Sequence, residues 1–381
     1  MMLTRDDAAF IQRALELAER GEGHTRPNPP VGAVIVKNGK IIGEGWHKRC
    51  GGDHAEVAAI KDALKRTRRS ASLPSGCVLY VTLEPCSKPG RVGACTDAIV
   101  TAGIKKVVYL VPDPNPKNRG KAKRVFSRHG IGCVKVCRQT CEEKAWDYCL
   151  GLKPLAEWGS RMIAPFAKHV TTGLPFVTVK LAMSLDGKIC DDFGNARWIS
   201  SAESRKMTGK CRERVDAIMV GAETIRSDDP SLLSHGKRND DLIRVVVTRS
   251  GKLPKNAQIF ADGAQNETRV FRVGRVRGAF KSHPRPTGVI DAKDLKDVLL
   301  QLGKMGVMHV LCEGGLKLAR SLADAGLVDE WITVLAPVVI GSRPIARALR
   351  GVMEIMNGDG CCSYVQDAFA FVNFKQKYFK E

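Results

Sequence analysis

His54-Ala55-Glu56 is followed downstream by Pro85-Cys86 and then by Cys95. One imidazole and two thiolates are ligands that suit zinc, and three protein ligands leave the fourth tetrahedral position to water. Zinc lowers the pKa of its water to about 7, so hydroxide becomes available at neutral pH. Glu56 is placed to take that water's proton and pass it to a departing amine, the role expected of a glutamate in this signature. The chemistry indicated is hydrolytic removal of an amino group from a nitrogen heterocycle.

Spacing sets conditions on the elements that carry these groups. Two residues apart within a regular helix, His54 and Glu56 would point to different faces. They converge only if His54 sits at the helix entrance, which Gly51-Gly52-Asp53 can supply. Cys86 and Cys95 on one continuous helix would be separated by a rise of about 13.5 Å, too far to share a metal. The chain must therefore fold back between them, and Ser87-Lys88-Pro89-Gly90 is turn chemistry. Cys95 then opens the next helix, where the positive end of the dipole favours a thiolate. His-Ala-Glu alone is uninformative, and two cysteines alone could be core residues; the joint pattern points to a metal.

The surrounding segments alternate. Residues 4–21 read as a helix capped by Thr4 with Asp7 three residues on, and Phe10, Ala14, Leu17 and Ala18 form its apolar face. VGAVIV, the dipeptide Asn38-Gly39 and KIIGEGW read as a β-hairpin. A helix over about 54–65, a strand at 77–82, a helix near 94–102, a strand at 106–111 and a helix–strand pair in 120–137 complete a three-layer α/β domain.

Between 151 and 173 the pattern weakens, punctuated by Gly151, Pro154, Gly159, Pro165 and Gly173. The expected organisation is a domain over 1–150, a linker over 151–173 and a second domain over 174–381. In the latter, FVTVKLAM, DAIMVG, IRVVVT, VMHVLC and WITVLAPVVI are strand candidates, with helices near 201–214, 294–305 and 316–325. Gly314-Gly315, between a strand and a helix, could offer backbone N–H groups to an anion. It is not the Gly-x-Gly-x-x-Gly of dinucleotide-binding folds.

Composition narrows the class. A chain of 381 residues with 44% hydrophobic and 27% charged residues is globular, and its length suits two domains at roughly 100–200 residues each. No apolar run approaches the ~20 residues that span a bilayer. Asp6, Asp7, Glu16 and Glu19 fit neither a signal peptide nor a transit peptide, so a cytoplasmic protein is expected. The thirteen cysteines are scattered through a large chain, unlike a small disulfide scaffold. A net charge of +21 suits phosphorylated substrates, nucleic acid or simply a solvated basic surface, and there is no basic tract interleaved with aromatics.

Longer stretches carry a resemblance. Cys-x8-Cys departs from the Cys-x-x-Cys of nucleoside and tRNA deaminases. TRPNPPVGAVIVKNGKIIGEGWH, HAEV, YVTLEPCSKPGRVGAC and DPNP resemble the deaminase domain of the bifunctional riboflavin-biosynthesis deaminase–reductases, over about 5–137. VKLAMSLDGKI, ARWIS, DAIMVGAETIRSDDPSL, IRVVVT and CEGGLKLARSLADAGLVDEWI resemble their reductase domain, over about 175–345.

The resemblance implies a cytidine-deaminase-like three-layer α/β/α domain followed by a dihydrofolate-reductase-like α/β domain. It implies Zn2+ and NADPH as cofactors, and two reactions. The first is deamination of 2,5-diamino-6-(5-phosphoribosylamino)pyrimidin-4(3H)-one; the second reduces the ribosyl side chain to ribityl. Asn28 and His47 would contact the base or sugar, with Lys88 and Arg91 on the phosphate. In the second half, Arg212, Leu232 and Glu313 would face substrate. Ala182, Trp198, Thr224, Asp228 and the turn Gly315, Leu316, Lys317 and Leu318 would face NADPH.

Departures from the family pattern are Lys88 in place of His, Val92-Gly93-Ala94 in place of Thr-Pro-Pro, and Lys117-Asn118-Arg119-Gly120 without the usual Val-x-Gly. Ala196 stands where a substrate-binding serine is common, and His235 where an arginine often binds phosphate. The partner expected is a small phosphorylated pyrimidine, with no nucleic acid and no membrane, in a homo-oligomer. The alternatives are a deaminase with a degenerate second domain, a basic RNA-binding or RNA-editing deaminase, and a zinc-structural interaction module with a closed four-ligand site.

Overall fold

The computed structural model describes residues 2–88, 93–142, 152–190, 199–234, 242–263, 267–274 and 289–340, together with the backbone of Ala368–Asn373. The first compact unit runs to Gly173 and the second begins at Leu174.

In the first unit, α1 (Arg5–Glu19) starts where expected. The Asp7 carboxylate accepts from the Thr4 N–H at 2.7 Å and from the Thr4 hydroxyl at 3.1 Å. Strands β1 (Gly32–Lys37) and β2 (Lys40–Trp46) form the hairpin, with Lys37 opposite Lys40 and Asn38 in left-handed backbone at φ 48°. Then follow α2 (Ala55–Arg66), β3 (Val78–Leu83), α3 (Cys95–Thr101), β4 (Lys106–Val111), α4 (Lys121–Arg128) and β5 (Gly132–Lys135). The sheet order is β2-β1-β3-β4-β5, antiparallel around β1 and parallel from β3 to β5.

Alternation along β1 builds two cores. Val34 and Val36 pack on one face with Ile11, Leu15 and Leu17 of α1. Ala33 and Ile35 pack on the other with Ala59 and Ala63 of α2 and with Ile99 of α3. Helix α2 lies flush on β2 because Gly45 has no side chain. A Cβ there would stand 2.3 Å from the Ala59 backbone nitrogen.

The stretch 151–173, expected as a linker, contains helix α5 (Leu152–Thr172), which packs against α1 and β4 through Leu152, Leu155, Met162 and Ile163. Its glycine is a packing residue: a Cβ on Gly159 would come within 2.6 Å of Leu110 Cδ2. Punctuation by Gly and Pro suggested a break; close approach to β4 is the physical reason for the glycine.

The second unit comprises β6 (Phe176–Ser184), α6 (Ala202–Glu213), β7 (Ala217–Gly221), α7 (Ala222–Asp228), β8 (Ile243–Thr248), α8 (Gln258–Ala261), β9 (Thr268–Val273), β10 (Val289–Ala292), α9 (Leu295–Lys304), β11 (His309–Gly314), α10 (Leu316–Asp324), β12 (Glu330–Ala336) and β13 (Ala368–Asn373). Its sheet, ordered β10-β9-β8-β7-β11-β6-β12-β13, is parallel except for the β12–β13 pair. Val177, Val179, Val245 and Cys312 face a core with α9 and α10. Ile218, Val220, Val246 and Leu311 face another, with Ala222, Ile225 and Ile259.

The run WITVLAPVVI forms a strand only as far as Ala336, because Pro337 follows and carries no N–H for a ladder. Strands β9, β10 and β13 were not foreseen. Arg269 and Arg272 interrupt the apolar run of β9, and β10 has four residues, one of them Asp291. Among the described residues no helix is long and apolar enough to cross a membrane.

Candidate active site

His54 is the N-cap of α2, with extended backbone at φ −69° and ψ 159°. It thus enters the helix while Glu56 lies in the first turn, which solves the convergence that their spacing posed. Cys95 is the first residue of α3, and its backbone N–H donates to Cys86 Sγ at 3.4 Å. The chain has folded back between the two cysteines, as a shared metal requires.

The ligand atoms of His54, Cys86 and Cys95 all lie within 4.8 Å of one another. His54 Nδ1 stands 3.1 Å from Cys95 Sγ and 3.7 Å from Cys86 Sγ. A tetrahedral zinc with bonds of about 2.1 Å to nitrogen and 2.3 Å to sulfur would place its ligands about 3.6–3.8 Å apart. The three residues fit zinc in donor type, and the His54–Cys86 separation matches its spacing, while His54 and Cys95 would have to part by about 0.5 Å to hold it. The hydrogen bond from Cys95, followed by that from His54, pulls the Cys86 thiol down, while the bond to Cys86 and burial push Cys95 up.

Glu56 is only 3% exposed, and its carboxyl is within hydrogen-bonding reach of the Cys95 sulfur. Burial first, and the Cys86 sulfur second, push it up to about 7. A carboxyl near neutrality can both take and return a proton.

A cavity of about 420 Å³ opens beside these groups, lined by Asn28, His47, His54, Glu56, Cys86 and Lys88 among others. The ring of His47 is fixed at both nitrogens. Its Nδ1 lies 2.9 Å from the Asp53 carbonyl, so that nitrogen carries the proton. Asn28 Nδ2 then donates to Nε2 at 3.1 Å. Burial holds the His47 pKa below its usual value, consistent with this neutral form. Lys88 is exposed at the cavity; Arg91 lies outside the described residues.

Glu84, Asp113, Asn115, Asn118 and Phe166 also line the cavity and were not singled out from sequence. Glu84 accepts from the N–H groups of Asp113 at 3.2 Å and Gly120 at 3.1 Å, which bends the 113–120 loop around the site. The DPNP run and the position of Glu84 beside Pro85-Cys86 were the available signals. Phe166 had none, because its helix read as a linker.

In the second unit, Arg212 and Glu313 grip each other. Nε donates to Oε1 at 2.6 Å and Nη2 to Oε2 at 2.9 Å, while Nη1 donates to the Leu233 carbonyl at 2.8 Å. Among the described residues three of its five guanidinium N–H groups are engaged, leaving one on each terminal nitrogen. The side chain of Leu232 is packed in the core, so only its backbone can face a ligand.

Thr224 Oγ1 accepts from the Gly315 N–H at 3.2 Å, joining α7 to the turn that starts α10. A Cβ on Gly314 would stand 3.0 Å from that hydroxyl, so the turn approaches Thr224 closely. Leu316 and Lys317 are exposed at the start of α10, whereas the side chain of Leu318 packs inward. Ala182 lies three residues past Val179, which shares the register of Cys312, and so sits at the same end of the sheet as Gly315. Asp228 is exposed at the end of α7. An open helix start beside a hydroxyl and a lysine suits a phosphate-bearing cofactor such as NADPH. Trp198, Ala196 and His235 lie outside the described residues.

Comparison with known proteins agrees with both halves. A family model described as the cytidine and deoxycytidylate deaminase zinc-binding region matches residues 4–111, and the RibD C-terminal domain matches 175–361. The riboflavin biosynthesis protein RibD of Aquifex aeolicus is 34% identical over 343 residues, covering 89% of each chain. That of Bacillus amyloliquefaciens is 36% identical, covering 87% of this chain and 85% of its own. Among solved structures, Acinetobacter baumannii RibD superposes with a TM-score of 0.72 at 32% identity, covering 88% of each chain. A Thermotoga maritima diaminohydroxyphosphoribosylaminopyrimidine deaminase/5-amino-6-(5-phosphoribosylamino)uracil reductase gives 0.72 at 33% identity, again covering 88% of each. With relatives this similar matched across both units, the chain belongs to the RibD family of riboflavin biosynthesis proteins.

Proposed function

We infer that the chain carries out two successive steps of riboflavin biosynthesis, a zinc-dependent deamination in its first unit and an NADPH-dependent reduction in its second. The first substrate is 2,5-diamino-6-(5-phosphoribosylamino)pyrimidin-4(3H)-one, and the second step reduces the ribosyl side chain to ribityl. The observation that carries this reading is the convergence of the His54, Cys86 and Cys95 ligand atoms at a cavity that His54, Cys86 and a buried Glu56 line.

His54, Cys86 and Cys95 would hold a zinc ion, which when bound would supply Lewis-acid activation of water for hydrolysis at the amino-bearing carbon. Glu56, buried beside the ligands and poised near neutrality, takes a proton and hands one to the departing amino group. His47 and Asn28, locked on each other, orient the base or sugar. Lys88 and Arg91, on the loop between the cysteines, place cations for the phosphate.

In the second unit NADPH, when bound, would supply the hydride. Gly315, Leu316, Lys317 and Leu318 would receive it at the start of α10 beside Thr224, and the family resemblance adds Ala182, Trp198 and Asp228 to the cofactor-facing set. Arg212 turns its two remaining N–H groups toward the substrate phosphate, oriented by Glu313, and Leu232 contributes its backbone.

The test is to incubate the protein with the diamino substrate, with and without NADPH, and identify products by mass. The deaminated pyrimidine is expected without NADPH, and the ribityl product with it. Unchanged substrate in both reactions sinks the reading; a deaminated product that NADPH does not alter sinks its second half.

A further inference from the structure

Residues 229–234 leave α7 in a conformation that side chains disfavour. Asp229 and Leu232 both have left-handed backbone, at φ 41° and 57°, and neither is glycine. Such positions persist only where the surroundings over-determine them. Here the surroundings are specific: the backbone N–H of Gln258 donates to Asp229 Oδ1 at 2.8 Å, and Leu232 is 2% exposed. Two arginines then take carbonyls on either side of Leu232. Arg244 Nη1 donates to Ser231 O and Arg212 Nη1 to Leu233 O, each at 2.8 Å.

Arg244 is the unexpected member. It lies on β8, is 0% exposed, and sits beside a core of Ile218, Val246 and Ile259. Asp262 holds it, with Nη1 to Oδ2 at 2.5 Å and Nη2 to Oδ1 at 2.8 Å, and Nη2 also donates to Ile259 O at 3.1 Å. Replacing a buried ion pair by apolar side chains of similar volume is often neutral or stabilising. An apolar side chain would fill this space but could not bond the Ser231 carbonyl.

We propose that Arg244, held by Asp262, is a positioning residue of the reductase half: it fixes the Ser231 carbonyl and so the left-handed Leu232. The Leu233 carbonyl is thereby delivered to Arg212, whose remaining donors are set for the phosphorylated substrate. The line runs from Arg244 through three consecutive loop residues to Arg212. It acts on the phosphorylated pyrimidine and not on NADPH, because the loop is bonded to Arg212 and the cofactor turn is bonded to Thr224. The proposal rests on the reading of Arg212 and Leu232 as substrate-facing.

Arg244→Met keeps volume and removes the hydrogen bonds. In the full chain it is expected to raise the reductase KM for the deaminated pyrimidine about tenfold, the size of one hydrogen bond to a charged group. The KM for NADPH and the deaminase rate should stay unchanged. On an Arg212→Ala background the same change should add nothing to the pyrimidine KM. A wild-type pyrimidine KM in Arg244→Met, equal rises in both KM values, or full additivity with Arg212→Ala overturns the proposal. If Arg244→Met abolishes NADPH binding, Asp262→Asn, which keeps the donors and loosens their hold, decides by the same two KM values. Wild-type protein that oxidises no NADPH with the deaminated pyrimidine overturns the reductase reading itself.

Discussion

His54 and Cys95 are 41 residues apart in the chain, yet the imidazole Nδ1 stands 3.1 Å from the sulfur. One caps α2 and the other begins α3, so two helix starts bring the metal ligands together. Cys95→Ser replaces a thiolate by a hydroxyl that does not ionise at neutral pH. Zinc affinity should fall by more than the roughly 10- to 100-fold lost with an outer partner of a metal ligand. Zinc content by atomic absorption and deaminase rate should fall together, with NADPH oxidation on the deaminated pyrimidine retained. Full zinc occupancy in the variant would remove Cys95 from the ligand set.

The placement of α2 depends on Gly45. A methyl group there meets the Ala59 backbone nitrogen at 2.3 Å and the Ala55 carbonyl at 2.6 Å, so the helix must move. Gly45→Ala should destabilise the first unit by about 1–3 kcal/mol, the range of overpacked cores. It should also weaken zinc binding, because His54 moves with the helix. Denaturant unfolding followed with zinc titration checks both, and wild-type values for the two would refute the flush packing.

Asp113 offers a pH test. Burial raises its carboxyl to about 6, from the model-compound value of 3.8. A carboxyl raised in the folded state binds its proton more tightly there than in the unfolded chain. Stability from this group is therefore complete below about pH 4 and is lost as pH rises through about 6, on the order of 2–3 kcal/mol. Asp113→Asn removes the titration. Between pH 4 and 6 the variant's stability relative to wild type should rise with pH; a pH-independent difference would contradict the assignment.

Arg212 and Glu313 form a pair that is mostly but not fully buried, with side-chain exposures of 15% and 8%, joined by two hydrogen bonds. Removing one partner of a buried pair costs about 3–5 kcal/mol, because a charge is left uncompensated. Arg212→Met and Glu313→Gln should each lower the stability of the second unit, and the double variant should lose less than their sum. A coupling of about 1–3 kcal/mol is expected from neighbours of this kind. Strict additivity in the cycle would show that the pair is not energetically joined.

Sequence made the first site legible because its ligands differ chemically from their surroundings. His54, Glu56, Cys86 and Cys95 announce a metal, and their spacing already demanded a helix entrance and a reversal. The hairpin was legible from Asn38-Gly39, whose geometry is local. What sequence hid was tertiary. Gly159 reads as a breaker but serves close approach to Leu110, so α5 and Phe166 were not foreseen. Arg244 lies in IRVVVT, where it looks like a strand residue, and its bonds to Ser231 and Asp262 come from separate loops. β10 is too short for alternation to register.

Glu56 is the group on which the deamination depends, and zinc content and ammonia release measured on the same preparations test it. Wild type and Glu56→Gln should hold equal zinc, because Glu56 is not a ligand. Ammonia release from the diamino pyrimidine should fall by about 10²–10⁴ in the variant, the usual loss when a general acid–base group is removed. A Glu56→Gln protein that releases ammonia at the wild-type rate, or wild type that does so equally well after its zinc is stripped, would contradict a zinc-dependent deaminase.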